Sequence, residues 1–590
     1  MTFAAPGAVT LGGPLGDAVA ANRAGRLATF VTGPDSPAIA IFDAPTVAAN
    51  EGGDWYGEHA GKWLYAAARS RDPALLPRVR AVADHLIALQ DADGYLGNYP
   101  PSRRFMVRQP PKPHSWNGEP ALRTWDIWTH AYLVLGLIEA TRATGDDRYL
   151  AAAVRIGELV ARTLATGDIG ITDLGNHFGL SATVMIDPAC ELFFATSEPR
   201  FRDLALLILA QAESDPHSAF LTAALNGEDP SAIATGKAYQ LLWNLVGLAK
   251  LHRATGEPRF LTAVHALWER VRADHLTLGG GPWGGVAHRS REVFNAPGAF
   301  SPHAYVETCS TMAWIQLNRE LIGILGEAKF AQAIERAAYN DLIGAQSADG
   351  EDWCYYSFPN GKRVNTTYWR CCKSSGAIAV EELPGVAYGV TADGAVAVNL
   401  LGPSEATLEV PGIGPVTITQ TTDYPFGERI AIAVDARVPL LVRIPDWAEG
   451  ATLTGVEGPL AADTYVRVDA ADRVTLTLPM PPRLHRAAAR NVQESLAPDG
   501  TPVAQEVLRH DYVALTRGPL VYATGLVDGY KAEETVRLAA GAVAPAGDDG
   551  LMLSPRDRAP IAFEPYYRAG GRQDGAWRLT WLRLAPEDAA

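Results

Sequence analysis

A short turn pattern recurs in the first part of the chain and limits the folds that this part can adopt. Each copy lies between two apolar segments, and the copies recur at intervals of roughly 50–75 residues. Four clear copies are Gly145-Asp146-Asp147-Arg148-Tyr149, Ser197-Glu198-Pro199-Arg200-Phe201, Gly256-Glu257-Pro258-Arg259-Phe260 and Gly326-Glu327-Ala328-Lys329-Phe330. A small residue ends one helix in this pattern, and an acidic residue, often with a proline, begins the next. The pattern predicts stacked helical hairpins, in which no hairpin buries its apolar face alone.

Helical periodicity in the segments between these turns supports the same prediction. Apolar residues recur three and four positions apart in segments 62–68, 79–89, 125–143, 149–164, 232–254 and 305–325. About a dozen helices arranged as hairpins would close into an (α/α)6 barrel. An open helical solenoid is the alternative that the same periodicity allows.

The period changes from helical to alternating after about residue 390. Strand-like segments are 395–400, 416–420, 429–434, 440–444, 465–468 and 474–478. Turn residues separate them at short intervals, which predicts one or two antiparallel β-sandwiches. Segment 541–550, rich in Gly, Ala and Asp, is predicted to be a loop, and segment 8–11 is predicted to be a strand that returns to the sandwich.

The chain has 590 residues, too many for one hydrophobic core, so at least two domains are expected. We predict an (α/α)6-barrel domain over residues 1–388 and a β-sandwich region of one or two subdomains over residues 389–590. The fold class expected is therefore a multidomain α and β protein, an (α/α)6 barrel followed by antiparallel β-sandwich domains.

Composition narrows the partners and the compartment. The formal net charge is −15 and no long basic run is present, which argues against nucleic acid or an anionic membrane as the main partner. The N-terminal residues lack the basic start and apolar core of a secretory signal, and no apolar run is long enough to span a bilayer. Five cysteines, three of them clustered, fit a reducing compartment, so a cytoplasmic protein that acts on a small or neutral ligand is expected.

The three clustered cysteines are the main candidates for chemistry. They lie in the segments Tyr305-Val306-Glu307-Thr308-Cys309 and Tyr368-Trp369-Arg370-Cys371-Cys372-Lys373-Ser374-Ser375. Adjacent cysteines cannot close an ordinary disulfide without strain. Three thiolates and a carboxylate would complete a four-coordinate zinc site. The alternative is that these cysteines are small buried core residues, since free cysteine packs well in cores.

The chain resembles the β-L-arabinofuranosidases of glycoside hydrolase family 127 and their close relatives along nearly its whole length. The residues that carry the resemblance are Asp93-Gly94-Tyr95-Leu96, Glu307-Thr308-Cys309, Cys371-Cys372, Arg443-Ile444-Pro445-Asp446-Trp447 and Arg517-Gly518-Pro519-Leu520-Val521-Tyr522. The resemblance implies an (α/α)6 barrel followed by β-sandwich domains. It also implies a zinc-dependent retaining exo-glycosidase that releases a terminal furanose such as β-L-arabinofuranose.

The resemblance also implies roles for particular residues. Zn²⁺ would be held by Glu307, Cys309, Cys371 and Cys372, with Cys371 as the nucleophile and Glu292 as the general acid/base. The chemistry is consistent, because a retaining glycosidase needs a nucleophile and a proton donor, and metal coordination ionises a thiol outright. A predicted helix from residue 375 would bury Cys372 beneath its next turn and leave Cys371 at the mouth of the barrel.

Each of these roles has an alternative that the residues leave open. A closed four-ligand zinc site usually only stabilises a fold. Glu292, which stands beside Arg289 and Arg291, could form a surface ion pair.

The sequence departs from the family pattern in the residues expected to contact the sugar. His130 preserves one histidine that the resemblance implies, but Asp187 and Lys237 stand where two others are expected. Tyr356 is a further candidate for substrate binding. Lysine pairs well with a carboxylate, so an acidic sugar is a candidate substrate, whereas Lys237 could instead cap a helix or pair with Asp187.

Two other functions remain compatible with the sequence. One is an (α/α)6 unsaturated uronyl hydrolase or polysaccharide lyase without a cysteine nucleophile. The other is a non-catalytic carbohydrate-binding protein with structural zinc. The expected partner in all cases is a small oligosaccharide or glycoside, and the oligomeric state stays open, with a homodimer as one option.

Overall fold

The computed structural model describes residues 1–50, 56–105, 124–285, 292–529 and 534–586. Twelve helices of ten residues or more lie in these ranges. They are α1 (Gly13–Asn22), α2 (Glu58–Arg69), α3 (Leu76–Ala88), α4 (Asp126–Thr144), α5 (Asp147–Ala165), α6 (Ile186–Thr196), α7 (Pro199–Glu213), α8 (Ala238–Thr255), α9 (Pro258–Asp274), α10 (Thr308–Leu325), α11 (Ala328–Ala337) and α12 (Cys371–Val386). Shorter helices are Pro37–Ala40, Ala44–Ala49, Leu180–Thr183, Phe220–Leu225 and Ile343–Ala345.

Six of these helices form a closed inner ring. α2 packs on α4, α4 on α6, α6 on α8, α8 on α10, α10 on α12, and α12 returns to α2. The outer helices α1, α3, α5, α7, α9 and α11 each pack on an inner helix. The inner helices contact neighbours on nearly all sides, and α4, α8 and α10 are almost wholly buried. Apolar residues therefore occur all round these helices and not along one stripe. The ring is therefore the predicted (α/α)6 barrel and not an open solenoid.

Two boundaries in the barrel differ from the prediction. The periodic segment that starts at Tyr305 forms a strand to Glu307 before α10 begins, and the helix expected from Ser375 begins four residues earlier, at Cys371. Arg370 is extended (φ −92°, ψ 131°) and stands at the N-cap of α12, and no residue after it opposes a helical turn. Both adjacent cysteines consequently belong to the first turn of α12.

The strands within the barrel region have two or three residues, and all the longer strands come after it. They are β1 (Thr2–Phe3), β2 (Val9–Leu11), β3 (Trp283–Gly284), β4 (Tyr305–Glu307), β5 (Tyr356–Ser357), β6 (Asn360–Lys362), β7 (Tyr388–Val390), β8 (Val396–Val398), β9 (Ser404–Val410), β10 (Gly414–Thr422), β11 (Arg429–Ile444), β12 (Thr452–Leu453), β13 (Thr464–Thr477), β14 (Arg483–Leu496), β15 (Pro502–Arg517), β16 (Leu520–Ala523), β17 (Thr535–Val536), β18 (Leu538–Ala546), β19 (Gly550–Pro555), β20 (Ile561–Pro565), β21 (Trp577–Leu579) and β22 (Leu582–Leu584).

Two large sheets make up the β-sandwich region of the described chain. The first has the order β1-β7-β8-β11-β10-β9-β2, with β13 and β12 on a branch from β11. The second has the order β17-β22-β15-β16-β20-β19-β18, with β14 on β15. Most neighbours are antiparallel, and β8 with β11 and β17 with β22 are the parallel pairs. The N-terminal segment joins the first sheet, where β2 pairs with β9.

The sequence pattern predicted separate strands in two places where the structure has one continuous strand. β11 and β13 each contain two predicted strands, and the register between them shifts at Ala433 and Val438. A bulge lets a strand bend without a turn, so the alternation is interrupted while the strand continues. Segment 541–550 is also wrong as a loop, since it contributes to the hairpin of β18 and β19. β18 is at the edge of its sheet, where Gly and Pro are tolerated.

The barrel interior is layered along its axis. The rings of Trp128, Tyr132, Tyr239 and Trp243 pack on one another across it, mostly edge to face, with ring centroids 4.6–5.9 Å apart. This aromatic layer lies in the first two turns of α4 and α8. Among the described helices, none is long and apolar enough to cross a membrane.

Candidate active site

Two helix N-termini and a short strand place the cysteines together at one end of the barrel. β4 ends at Glu307, which is the N-cap of α10 and puts Cys309 in its first turn. Cys371 and Cys372 open α12, the next helix of the inner ring. The N-terminus of a helix carries a partial positive charge, so this end of the barrel favours thiolates and carboxylates.

The three sulfur atoms lie in contact. Cys309 Sγ is 3.4 Å from Cys371 Sγ and 3.2 Å from Cys372 Sγ, and no disulfide joins them. Cys372 Sγ is 4.0 Å from Glu307 Oε1. One ligand atom from each of the four residues lies within 4.8 Å of all the others. A buried set of three sulfurs and one carboxylate oxygen at this spacing fits a four-coordinate metal ion with affinity for sulfur.

Cys371 differs from the other two cysteines in exposure and in charge preference. Its side chain is partly exposed, whereas Cys309 and Cys372 are fully buried. Hydrogen bonds from Cys309 and Cys372, with Lys62 nearby and the Tyr355 hydroxyl 3.5 Å away, hold the pKa of Cys371 well below its usual range. Burial raises the pKa of Cys309 and Cys372. Cys371 is therefore the cysteine of the cluster that is both accessible and most readily ionised.

Glu292 lies beside this cluster on a strained backbone. Its φ is +60°, a left-handed conformation that costs a non-glycine residue of order 1 kcal/mol or more and is concentrated at functional sites. The Tyr305 hydroxyl accepts from its backbone N–H at 2.7 Å, and the Tyr356 hydroxyl donates to its Oε1 at 2.8 Å. Tyr356 lies on β5, which pairs with β4 in a small sheet, and its register partner on β4 is Glu307. The arginines at 289 and 291, the partners in the alternative ion pair, lie outside the described residues.

Lys237 joins Glu292 to the cysteine cluster. Its buried ammonium group pairs with Glu292 Oε2 and lies 3.3 Å from Glu307 Oε2. Lys237 is also the N-cap residue of α8, although its side chain makes no capping hydrogen bond. Its described ion pairs are thus with the two glutamates and not with Asp187.

Asp187 belongs to a different part of the barrel. It accepts a hydrogen bond of 2.7 Å from Trp243 Nε1 and pairs with Lys250 Nζ. It also lines a cavity whose walls are mainly the C-terminal halves of the other inner helices, although Asp187 itself stands in the first turn of α6. None of its described hydrogen bonds or ion pairs reaches the cysteines, Glu292 or Lys237.

His130 is buried at the N-terminal end of α4. Its Nε2 accepts from Leu96 N–H at 3.3 Å, and its ring packs against Tyr95 and Phe105. Its Nδ1 has no partner among the described residues. Burial lowers the pKa of His130 to about 3, which keeps the ring neutral.

Sequence reasoning missed a row of polar residues on α2. Glu58 and Lys62 form a buried ion pair of 2.9 Å, and His59 Nδ1 lies 2.8 Å from Ser374 Oγ on α12. Burial raises the pKa of Glu58 to about 7. Charged residues four positions apart in an otherwise apolar, alanine-rich helix were the available signal for this row.

A second missed residue is His177, in the loop before the short helix Leu180–Thr183. His177 and Phe178 both have positive φ, at 58° and 54°. His177 Nδ1 lies 2.9 Å from Thr235 Oγ1, two residues before Lys237. Burial, with Lys237 nearby, lowers the pKa of His177 to about 3. His177 therefore contacts the loop that precedes Lys237, although no sequence pattern in its own segment indicated a site residue.

Comparison with known proteins defines the class of this chain. A family model described as the β-L-arabinofuranosidase GH127 catalytic domain matches residues 21–385, and a model of the GH127 middle domain matches residues 395–480. A non-reducing end β-L-arabinofuranosidase of Bifidobacterium longum subsp. longum is 21% identical over 528 residues, which covers 79% of this chain and 75% of that protein. The chain is a glycoside hydrolase.

Solved structures share its fold over the whole length. The GH127 β-arabinofuranosidase BT3674 superposes with a TM-score of 0.75 at 19% identity, covering 100% of this chain and 98% of that one. The GH127 β-L-arabinofuranosidase Ara127N from Geobacillus stearothermophilus T6 superposes with a TM-score of 0.74 at 21% identity, covering 98% and 100%. The protein belongs to the GH127 β-L-arabinofuranosidase family.

Proposed function

We propose that the protein is a zinc-dependent retaining exo-glycosidase that releases a terminal furanose such as β-L-arabinofuranose. Cys371 is the proposed nucleophile and Glu292 the proposed acid/base. Glu307, Cys309, Cys371 and Cys372 are the proposed zinc ligands. The observation that carries the proposal is the partly exposed Cys371 in a Cys/Glu cluster whose ligand atoms lie within 4.8 Å of one another, with Glu292 joined to that cluster through Lys237.

The proposed reaction has two steps. In the first, Cys371 Sγ forms a bond to the anomeric carbon while the bond from that carbon to the leaving oxygen breaks, and the Glu292 carboxyl gives its proton to that oxygen. In the second, Glu292 takes a proton from water, whose oxygen bonds to the anomeric carbon as the carbon–sulfur bond breaks. The metal, when bound, would keep the thiol ionised at neutral pH.

Three side chains around Glu292 support its proposed role. Tyr305 and Tyr356 fix the backbone and one carboxylate oxygen, so the group is held in one orientation. Lys237 contacts the other oxygen, and its positive charge favours the carboxylate form of Glu292 that acts as the base in the second step. Lys237 therefore has a role in the proposed reaction through Glu292, whether the sugar is acidic or neutral.

The sugar pocket is proposed to include His130, Lys237 and Tyr356. Asp187, which was a candidate contact from the sequence, is proposed instead to support the barrel through Trp243 and Lys250. We retain a furanose, neutral or acidic, as the substrate class. If Lys237 selects an acidic sugar, Lys237→Met should lower the ratio of kcat/KM for acidic over neutral glycosides, and an unchanged ratio would leave Lys237 only its contact with Glu292.

The division of the chain is proposed near residue 388, where α12 has ended and β7 begins. Buried contacts cross this division, since Arg443 on β11 pairs with Glu335 on α11 and donates to Gln332 Oε1 at 2.6 Å. The two parts are therefore proposed to be stable only together.

Labelling with a sugar-directed reagent tests the nucleophile. A haloacetamide derivative of β-L-arabinofuranose should alkylate Cys371 alone, because Cys309 and Cys372 are buried. Peptide mass spectrometry identifies the labelled residue. A label on Cys372 or Glu292, or no label at all, would contradict the assignment.

Elemental analysis tests the metal. Protein purified without added metal should contain about one zinc per chain. A chelated, metal-free sample that remained folded and fully active would contradict the requirement for zinc, without bearing on which residue is the nucleophile.

A further inference from the structure

Lys62 is a buried cation next to the cysteine cluster. It has no exposed surface, although lysine is almost never fully buried unless it is paired. Its Nζ donates to Glu58 Oε1 at 2.9 Å and to Ser375 Oγ at 2.9 Å, and lies 4.6 Å from the centre of the Tyr132 ring. Lys62 thus points towards the end of the barrel where α10 and α12 begin.

Ser375 connects Lys62 to a sulfur atom. Its Oγ lies 3.2 Å from Cys309 Sγ and 2.9 Å from Lys62 Nζ. An ammonium group can only donate, so Lys62 occupies a lone pair of the Ser375 oxygen. The hydroxyl proton of Ser375 is then left to donate to Cys309 when that sulfur is a thiolate.

The neighbouring serine makes a parallel connection. Ser374 Oγ lies 2.8 Å from His59 Nδ1 and 3.4 Å from the Nη2 atom of the buried Arg26. Ser374 and Ser375 therefore supply two hydroxyls that link α12 to polar residues of α2.

The net negative charge of the ligand set is a second reason for a buried ammonium group at Lys62. Three thiolates and a carboxylate around a divalent cation leave an excess of about two negative charges. Lys237 lies against Glu307, and Lys62 lies behind Cys309 through Ser375. Both lysines are buried, where an uncompensated charge is expensive. The two ammonium groups therefore offset the excess at two different ligands, Lys237 at Glu307 and Lys62 at Cys309 through Ser375.

We propose that Lys62, acting through Ser375, is a positioning residue of the metal centre that orients Cys309 and offsets the negative charge of the ligand set. This inference rests on the proposed function, because it requires the cluster to hold a metal ion. It assigns a role to two residues outside the four proposed ligands, Lys62 and Ser375.

The test measures metal binding and not turnover. Metal affinity is obtained by titrating the full-length protein with Zn²⁺ against a chromogenic chelator. Ligand geometry is read from the sulfur-to-metal absorption of the Co²⁺-substituted protein. The variants are Lys62→Met and Ser375→Ala. Lys250→Met is the matched control, since Lys250 is also a buried lysine paired with a carboxylate, but at the other end of the barrel.

Lys62→Met is expected to weaken Zn²⁺ binding by about 10–100-fold and to shift the Co²⁺ absorption, as loss of a residue that orients a ligand usually does. Ser375→Ala should weaken binding in the same direction and shift the same band. Lys250→Met should bind as tightly as the unmodified protein and give the same spectrum. If Lys62→Met does not fold, Ser375→Ala decides the question, because it removes only the connecting hydroxyl.

Two results would overturn the inference, and they are distinguishable. Unmodified protein that binds no Zn²⁺ or Co²⁺ would remove the proposed metal centre and this inference together. Unmodified protein that binds metal, with Ser375→Ala and any folded Lys62→Met protein equal to it in affinity and spectrum, would remove this inference alone.

Discussion

The two ends of the barrel carry charge in opposite ways. At the end where the inner helices begin lie the cysteine cluster, Glu307 and Glu292, with cations placed around them. At the end where the helices finish, nine of the 19 residues that line a cavity of about 340 Å³ are charged side chains held in ion pairs. The pairs involve Arg69, Arg142, Lys250, Arg253 and Arg319 with Glu139, Asp187, Glu191, Glu320 and Glu382.

Helix polarity accounts for this difference. Parallel inner helices gather positive N-termini at one end and negative C-termini at the other, so anions are favoured at the first end and cations at the second. At the far end, each of these cations is paired with a carboxylate, so the charges of the named side chains balance. The cysteine end instead gathers three thiols and Glu307 with Lys62 and Lys237 close by, and its four ligand atoms are spaced to fit a metal ion.

The largest expected effect comes from exchanging a cysteine at each end. Cys371→Ser should keep the fold and lower turnover by at least about 10⁴-fold, because a hydroxyl is a far weaker nucleophile than a thiolate. Cys190→Ser, in the fully buried cysteine of α6, should leave turnover unchanged and cost about 1–3 kcal/mol of stability for the buried hydroxyl. Steady-state kinetics and urea unfolding separate the two outcomes. Comparable losses of turnover in both variants would show that the ends do not differ in function.

Glutamates at the two ends should differ in their dependence on the leaving group. Glu292→Gln should lower kcat by about 10²–10⁴-fold on glycosides with poor leaving groups, and by less on activated aryl glycosides that need little protonation. Glu320→Gln, at the far end between Arg253 and Arg319, should leave the ratio between the two substrate types unchanged. An equal loss on both substrates in Glu292→Gln would argue against its role as the acid.

Stability should respond most to the far end. Lys250→Met leaves Asp187 and Glu191 without their shared cation, and breaking a buried ion pair in this way costs about 3–5 kcal/mol. Chemical unfolding should show this loss, while the kcat of the folded protein stays near that of the unmodified protein. A fall in kcat without a loss of stability would place Lys250 in the catalytic machinery instead.

Acid should weaken the cysteine end first. Burial lowers the pKa of His59 and His130 from 6.5 to about 3. The unfolded chain therefore binds more protons than the native state below about pH 6.5. Each histidine contributes stability that is complete above pH 6.5 and is lost, by up to about 1.4 kcal/mol per pH unit, as the pH falls towards 3. At the far end, Arg319 and Arg69 overcome burial and lower the pKa of Glu382 to about 2, so its contribution persists until lower pH.

Urea unfolding at several pH values between 7.5 and 5 checks this order. His130→Asn should show a shallower loss of stability with falling pH than the unmodified protein. His303→Asn, at an exposed histidine, should show the same slope as the unmodified protein. Parallel slopes in all three proteins would contradict the assignment of the acid sensitivity to the buried histidine.

The site was predictable where function and local sequence coincide. The Glu-Thr-Cys and Cys-Cys segments are rare enough to be recognised, and the structure brings these four residues within reach of one ion. Lys62 and His59 were hidden because they lie in an apolar helix, and their partners Ser374 and Ser375 are more than 300 residues away. The contacts of Asp187 were hidden in the same way, since Trp243 and Lys250 lie 56 and 63 residues further along the chain.

The sequence by itself determined the helical hairpins, the change to strands near residue 390 and the composition of the cysteine cluster, because these depend on residue periodicity and on neighbours in the chain. Only the tertiary structure decided the closure of the ring, the continuity of β11 and β13, and the partners of Lys62, Lys237 and Asp187. Those features depend on which side chains of distant segments meet in a low-dielectric interior, and no local pattern records that choice.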